Sequence, residues 1–170
     1  DLVEASKAST GNVSLELMPL NMRELMNQVV GEFADKFKER ELELVEDISE
    51  DYMVLTGDNK CTYRIFENLF QNIYKYSMPK SRVYLDLSQK DKNIEVCIRN
   101  ISNAPLTRSV EELTERFTRG EQSRTTEGSG LGLSIAKDLT KLQGGEMNII
   151  LDGDLFKIIL SFPQTDTMIG

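Results

Sequence analysis

Residues 128–133 read Gly-Ser-Gly-Leu-Gly-Leu and run into a segment where Leu131, Ile135, Leu139 and Leu142 recur at helical spacing, with Ala136 beside them. Gly144-Gly145 then ends the pattern. Gly128, Gly130 and Gly132 leave the backbone bare where a helix begins. The first amide N–H groups of a helix have no partner inside it, and the helix dipole adds partial positive charge there. Such a turn can accept phosphate. The spacing is G-x-G-x-G, not the G-x-G-x-x-G of a dinucleotide fold, and no Lys-Ser/Thr follows as in a Walker loop. Taken alone, the run reads equally well as a loose glycine-rich start to a helix.

A second segment narrows the choice. Asp58 caps a predicted helix that continues to Tyr76, and Pro79 bars its extension. Ile65, Phe66, Leu69, Phe70 and Ile73 form its apolar stripe. Asn68, Asn72, Lys75 and Tyr76 fall at i, i+4, i+7 and i+8, on one shared face. Two amides, an ammonium and a phenol therefore stand side by side. A neutral amide oxygen is a reasonable Mg²⁺ ligand when phosphates supply the charge. Lys75 could meet a phosphate and Tyr76 a ribose or base. The competing reading is a solvated polar face, the usual fate of such residues.

Composition bounds the rest. The chain has 170 residues, 39% hydrophobic and 28% charged, which suits one domain with a real core. Its formal charge of −8 argues against nucleic acid as a bulk-charge partner. Any polyphosphate must then be met by local positive groups. Cys61 and Cys97 sit inside apolar patterns and read as reduced core thiols, which fits a cytosolic setting. There is no histidine, so none in this chain can serve as base, nucleophile or metal ligand. No signal peptide or spanning segment is apparent, so no direct membrane contact is expected. The first residue is Asp, in mid-pattern, which reads as a fragment of something longer.

The remaining elements read as follows. Residues 1–10 resemble a helix end, closed by Gly11-Asn12. Val13, Leu15 and Leu17 alternate with polar residues as a strand. Asn21 with Glu24 is a capping box opening a helix that carries Leu25, Val29, Phe33 and Phe37. Leu42 and Leu44 alternate with Glu41 and Glu43 in a second strand, and Val54 to Gly57 is short and extended. Arg82 to Ser88 and Ile94 to Ile101 form a hairpin around Lys90-Asp91-Lys92-Asn93. Residues 102–127 are polar and irregular, apart from a short helix over Glu111 to Phe117. Met147 to Leu151 and Leu155 to Phe162 are final strands turning at Asp152-Gly153. Strands and helices segregate, which predicts an α+β fold with helices over one face of a mainly antiparallel sheet.

Glu67-Asn68-Leu69-Phe70-Gln71-Asn72-Ile73-Tyr74-Lys75-Tyr76-Ser77 resembles the asparagine box of bacterial sensor histidine kinases. Glu115-Arg116-Phe117-Thr118-Arg119-Gly120 resembles their phenylalanine box, and Gly128 to Leu133 with Ser134-Ile135-Ala136-Lys137 their second glycine box. The resemblance implies the catalytic and ATP-binding domain over 13–170, a two-layer α/β sandwich of the GHKL (Bergerat) type. An ATP lid would cover about 102–127. Residues 1–12 resemble the end of the dimerisation and phosphoacceptor helix pair. Asn72 matches the Mg²⁺-holding asparagine, and Lys75 and Tyr76 match positions lining phosphate and nucleoside. Gly128, Gly130, Leu131 and Gly132 match the phosphate-cradling turn. Arg119 matches an arginine that reaches phosphate or the phosphoacceptor domain. Arg116 and Arg124 read rather as solvated lid residues. Where related ATPases place a glutamate base stands Asn68, which cannot take a proton. Transfer to a protein histidine is favoured over hydrolysis, with adjacent Glu67, about 100° around the helix, as a minor alternative base.

The implied function is transfer of the ATP γ-phosphoryl to a histidine on the receptor's own dimerisation domain. A response regulator would follow as partner, the fragment would be monomeric and the full-length protein a homodimer. The domain would be cytoplasmic, and its parent would sit in the bacterial cell membrane. One departure stands out. The family's first glycine box is Asp-x-Gly-x-Gly, whereas this chain has Asn100, Ser102 and Ala104 at those places. An Asn oxygen still accepts from the adenine amine, without the charge-assisted bond of a carboxylate. The phosphate half therefore reads as intact and the adenine half as altered. The alternative reading is a catalytically weak module of the same fold that regulates through contacts with the helix pair or a partner.

Overall fold

The computed structural model describes residues 14–106, 109, 112 and 131–165. Among them, β1 (Leu17–Asn21), α1 (Met22–Glu39), β2 (Glu43–Ile48), β3 (Val54–Asp58) and α2 (Asn59–Tyr76) come first. β4 (Arg82–Lys90), β5 (Asn93–Ile101), α3 (Leu131–Leu142), β6 (Glu146–Asp152) and β7 (Leu155–Pro163) follow. β1 and β3 form an antiparallel ribbon, Leu17 opposite Asp58. The other five strands form one sheet in the order β2-β4-β5-β7-β6. Only β2 and β4 run parallel within it; the remaining pairs are antiparallel. This is the mixed, mostly antiparallel sheet with helices on one face that the sequence pattern predicts.

Alternation explains the layering. Val83, Leu85 and Leu87 of β4, Ile94, Val96 and Ile98 of β5, and Ile158, Leu160 and Phe162 of β7 all point inward and are buried. Leu25, Met26, Val29, Phe33 and Phe37 of α1, Ile65, Phe66, Leu69 and Phe70 of α2, and Leu133, Ile135 and Leu139 of α3 cover them. Phe70 packs edge-on against Phe33 at 5.6 Å between centroids and stacks on Phe37 at 5.7 Å, which joins the first two helices. The opposite face of the sheet carries Tyr84, Asp86, Glu95, Arg99 and Lys157, each half-buried. Cys97 lies on this outer face, not in the core as its apolar neighbours suggest, because its place in β5 alternates with those of Val96 and Ile98. Partial burial pushes its thiol up.

The later strands fall within one or two residues of the sequence reading, but the first two start elsewhere. The first strand begins at Leu17, so the alternation from Val13 to Leu17 is not its body; Ser14 to Glu16 are unpaired in any strand and Val13 lies outside the described residues. The second strand begins at Glu43, since Glu41 adopts φ +57° and Leu42 closes back on Phe37. The expected helices at 1–10 and 111–117 also fall outside the described residues, apart from Glu112.

Helix ends follow their caps. The Asn21 side chain accepts from the Glu24 N–H. Asp58 accepts from the Cys61 N–H at 2.9 Å and, through its other oxygen, from the Glu16 N–H at 2.8 Å. Gly144 closes α3 at φ +80°, and a Cβ on Gly145 would sit 2.7 Å from the Ser161 carbonyl oxygen. Burial alone would raise the Asp58 carboxyl, but the N–H groups of Cys61 and Glu16 outweigh it and hold the group below its ordinary 3.8. A carboxyl so depressed stabilises the fold above the unfolded value, and that stability is lost as pH falls through the folded value. Asp58→Ala should therefore cost about 2 kcal/mol near pH 7. In urea titrations the gap from the parent should narrow steadily below about pH 4.

Candidate functional site

The site is built by two helices held antiparallel. At one end, Gln143, just beyond α3, turns its side-chain oxygen to the start of α2. That oxygen accepts from the Asp58 N–H at 2.7 Å and lies 3.1 Å from the Thr62 hydroxyl. Thr62 is fully buried and also donates to the Asp58 carbonyl. At the other end, Gly132 in the first turn of α3 faces the polar stripe of α2. A Cβ placed on Gly132 would lie 3.8 Å from Asn72 Nδ2 and 3.9 Å from Asn68 Cβ. The spacings agree: Gly132 to Gln143 spans about 16 Å of helix and Asp58 to Asn68 about 15 Å.

The start of α3 is thus delivered onto Asn68 and Asn72, the two amides that the i, i+4 spacing placed on one face. Asn68 Nδ2 is buried and has no hydrogen-bond partner among the described residues. A buried, unsatisfied amide donor is costly unless something outside the chain satisfies it. Asn72 is half-buried beside it. No group of three or more His, Cys, Asp or Glu that could hold a metal occurs among the described residues. The donor set on this face is neutral amide, which suits a divalent cation that already carries phosphate.

The far end of α2 is fixed just as firmly. Arg40, which follows α1, donates from Nη1 to the carbonyls of Tyr74 at 2.8 Å and Lys75 at 3.1 Å. Its Nη2 donates to the Ser77 carbonyl at 2.6 Å. A cation on the last carbonyls of a helix satisfies groups that have no intrahelical donor and complements the dipole. Lys75 and Tyr76, both half-buried, are presented by this capped turn. The next residues are stitched to the sheet. Ser77 bridges Ser102, Met78 N–H donates to the Ile101 carbonyl, and Asn103 N–H donates to the Tyr76 carbonyl.

Asn100 lies within this seam. It is 5% exposed on the inner face of β5, and its Nδ2 donates to Ser77 Oγ at 2.9 Å. The amide nitrogen is therefore directed at a protein hydroxyl. Ser102 is buried, and its hydroxyl donates to the Ala104 carbonyl at 2.7 Å. The two positions that would be glycines instead form a small side-chain-closed turn. Gly128, Gly130 and Arg119, with Arg116 and Arg124, lie outside the described residues; Leu131 is the first residue of α3.

Asn68 and Asn72 share a face as the spacing predicts, and the fold brings Gly132 to them; Lys75 and Tyr76 follow on the same helix, and Asn100 is bonded to the next residue, Ser77. Sequence reasoning missed Arg40, Ser77 and Gln143. Gln143 stands just before the helix-stopping glycines and so had a local signal. Arg40 reaches across 34 residues to Tyr74 and had none. Two opposite effects on stability follow. Arg40→Ala should lower the unfolding free energy by about 2 kcal/mol. Asn68→Leu, which removes the unsatisfied donor at near-constant volume, should leave it unchanged or raise it by about 1 kcal/mol. Chemical denaturation of the nucleotide-free chain reads both.

Comparison with known proteins identifies the family. The family model for histidine kinase-, DNA gyrase B- and HSP90-like ATPases matches residues 57–166. The probable sensor protein PcoS of Escherichia coli is 34% identical over 111 residues, covering 63% of this chain and 24% of that protein. The signal transduction histidine-protein kinase BaeS of Escherichia coli K12 is 26% identical over 149 residues, covering 86% of this chain and 32% of that protein. The chain thus spans about a quarter to a third of the length of these relatives. In fold, it is similar to the Acinetobacter baumannii histidine kinase AdeS, with a TM-score of 0.78 and 15% identity over 97% of this chain and 76% of that one. The chain belongs to the family of histidine kinase-, DNA gyrase B- and HSP90-like ATPases, as a nucleotide-binding domain homologous to the catalytic domains of sensor histidine kinases.

Proposed function

We propose that this chain is the catalytic module of a two-component sensor kinase, which transfers the γ-phosphoryl of ATP to a histidine on a dimerisation domain. The observation that carries the reading is the docking of α3 at Gly132 onto Asn68 and Asn72, with a buried Asn68 donor that no described residue satisfies. Phosphoryl transfer asks the protein mainly for positioning and charge neutralisation. Mg²⁺, when bound, supplies neutralisation of the triphosphate. Asn72 Oδ1 is the residue to hold it, and the Lys75 ammonium adds positive charge on the same face. The N-terminal amide N–H groups of α3 would donate to phosphate oxygens. Gly128, Gly130, Leu131 and Gly132 form that turn in this proposal, and Arg119 reaches the transferred group.

Two features favour transfer over hydrolysis. Asn68 cannot accept a proton from water. Glu67, the adjacent carboxylate, is paired with Arg64 Nη1 at 3.1 Å on a neighbouring face of the helix. In this reading residues 1–12 end the phosphoacceptor helix pair, residues 13–170 are the catalytic domain and about 102–127 its lid. The remaining proposals are a homodimeric parent in the bacterial cell membrane with this domain in the cytoplasm, and a response regulator as downstream partner. No described helix is long and apolar enough to cross a membrane.

Isothermal calorimetry should show Mg²⁺-dependent binding of ATP. Asn72→Ala should weaken binding by about tenfold or more while urea unfolding stays cooperative. Mixed with a histidine-bearing acceptor fragment of its own receptor, the chain should label that fragment from γ-labelled ATP and release little phosphate alone. Binding without labelling would favour the non-catalytic regulatory module. Brisk hydrolysis by the chain alone would overturn the kinase reading.

A further inference from the structure

Along the inner face of β5, Ile94, Val96 and Ile98 are aliphatic and the next position, Asn100, is an amide that is just as buried. Its only side-chain hydrogen bond among the described residues runs from Nδ2 to Ser77 Oγ. Ser77 is itself 0% exposed, held by its bridge to Ser102 and by Arg40 on its carbonyl. Asn100 Oδ1 is turned away from Ser77 and accepts from no described residue.

An amide and a hydroxyl match in a particular way. The amide has an acceptor at one end and donors at the other, and a half-turn about its last torsion exchanges them at nearly constant shape. A hydroxyl can accept or donate. The Asn100–Ser77 pair is therefore satisfied in two arrangements. In the one described, Ser77 accepts from Nδ2 and the outward group is an acceptor. In the other, Ser77 donates to Oδ1 and the outward group is a donor. A carboxylate at position 100 could offer only an acceptor.

We propose that the Asn100–Ser77 pair sets the base specificity of this site, so that it takes both 6-amino and 6-oxo purine nucleoside triphosphates. A 6-amino purine donates to Oδ1 in the first arrangement, and a 6-oxo purine accepts from Nδ2 in the second. The inference rests on the function proposed above, which places the phosphates at Asn72; the base would then lie further along α2, at Tyr76, whose neighbour Ser77 holds Asn100. Asn72 and Tyr76 are about 6 Å apart along the same helix.

The test uses the whole 170-residue chain with Mg²⁺, and ATP and ITP as probes, which differ at the 6-position. Calorimetry should give dissociation constants within about fivefold of each other for the parent. Asn100→Asp should keep or tighten ATP and weaken ITP by about tenfold or more, because the oxo group then faces an acceptor. A parent that binds ATP but holds ITP more than about thirtyfold weaker overturns the proposal and leaves the kinase reading intact. So does an Asn100→Asp variant that folds and moves both nucleotides equally. If that variant fails to fold by circular dichroism, the parent's ATP-to-ITP ratio decides alone. Absence of ATP binding by the parent removes both readings together.

Discussion

The antiparallel lock between α2 and α3 is the constraint on which the site depends. It is made at two points. The Gln143 oxygen closes on the Asp58 N–H at one end, and Gly132 lies against Asn68 and Asn72 at the other. Neither contact is large, but the apolar stripes of both helices are buried between them and the sheet, so the register cannot slide by a turn without exposing Leu69, Ile135 or Leu139. Gly132, which could have faced solvent, is thereby aimed at two amides about 60 residues away in sequence. The apolar packing sets the distance and the polar clasp sets the phase.

That division also explains what could be read from the chain. Elements with strong periodicity and a cap were legible: α2 runs from the residue after Asp58 to Tyr76, and the hairpin of β4 and β5 falls at Lys90 to Asn93. The shared face of Asn68 and Asn72 was legible because helical spacing is rigid. Strand starts were not, since Glu41 takes a left-handed φ that no pattern of charges announces. The depth of Cys97 was misjudged because sheet parity, not local hydropathy, decides which face a residue takes. The Arg40 contacts were invisible for another reason. An arginine after a helix looks like any solvated cation until the fold brings a second helix end beside it. The seam from Asn100 to Ser77 likewise exists only once α2 and β5 end at the same level.

The polar groups of the site are mostly neutral, in a chain of net charge −8. Two carboxylates of the same helix and its cap are already engaged: Glu67 is paired with Arg64 and Asp58 accepts from two backbone amides. An anionic ligand is then opposed by the long-range field of the whole chain, while these two carboxylates are already partnered. At physiological ionic strength the long-range part is screened within about 8 Å, so local amides and Lys75 dominate. The unsatisfied Asn68 donor is a local cost kept where it lowers folding stability and leaves a hydrogen bond for something else to complete.

Asp58 does more than cap a helix. One of its oxygens holds the first turn of α2, and the other holds the main chain at Glu16, just before β1. The Thr165 N–H is bonded to Val54 at the start of the same strand. The polypeptide therefore enters and leaves the described fold against a single short strand, β3. Mechanically, α2 is a stiff rod about 27 Å long, gripped at its root by the segment leading into the fold and carrying its asparagines towards the tip. Tension or twist applied to that leading segment loads the root of the rod before it loads the sheet. With the far end of the rod held by Arg40, such a load is passed along α2 past Asn68, Asn72 and Lys75, so the segment entering the fold is coupled mechanically to the helix that carries the site.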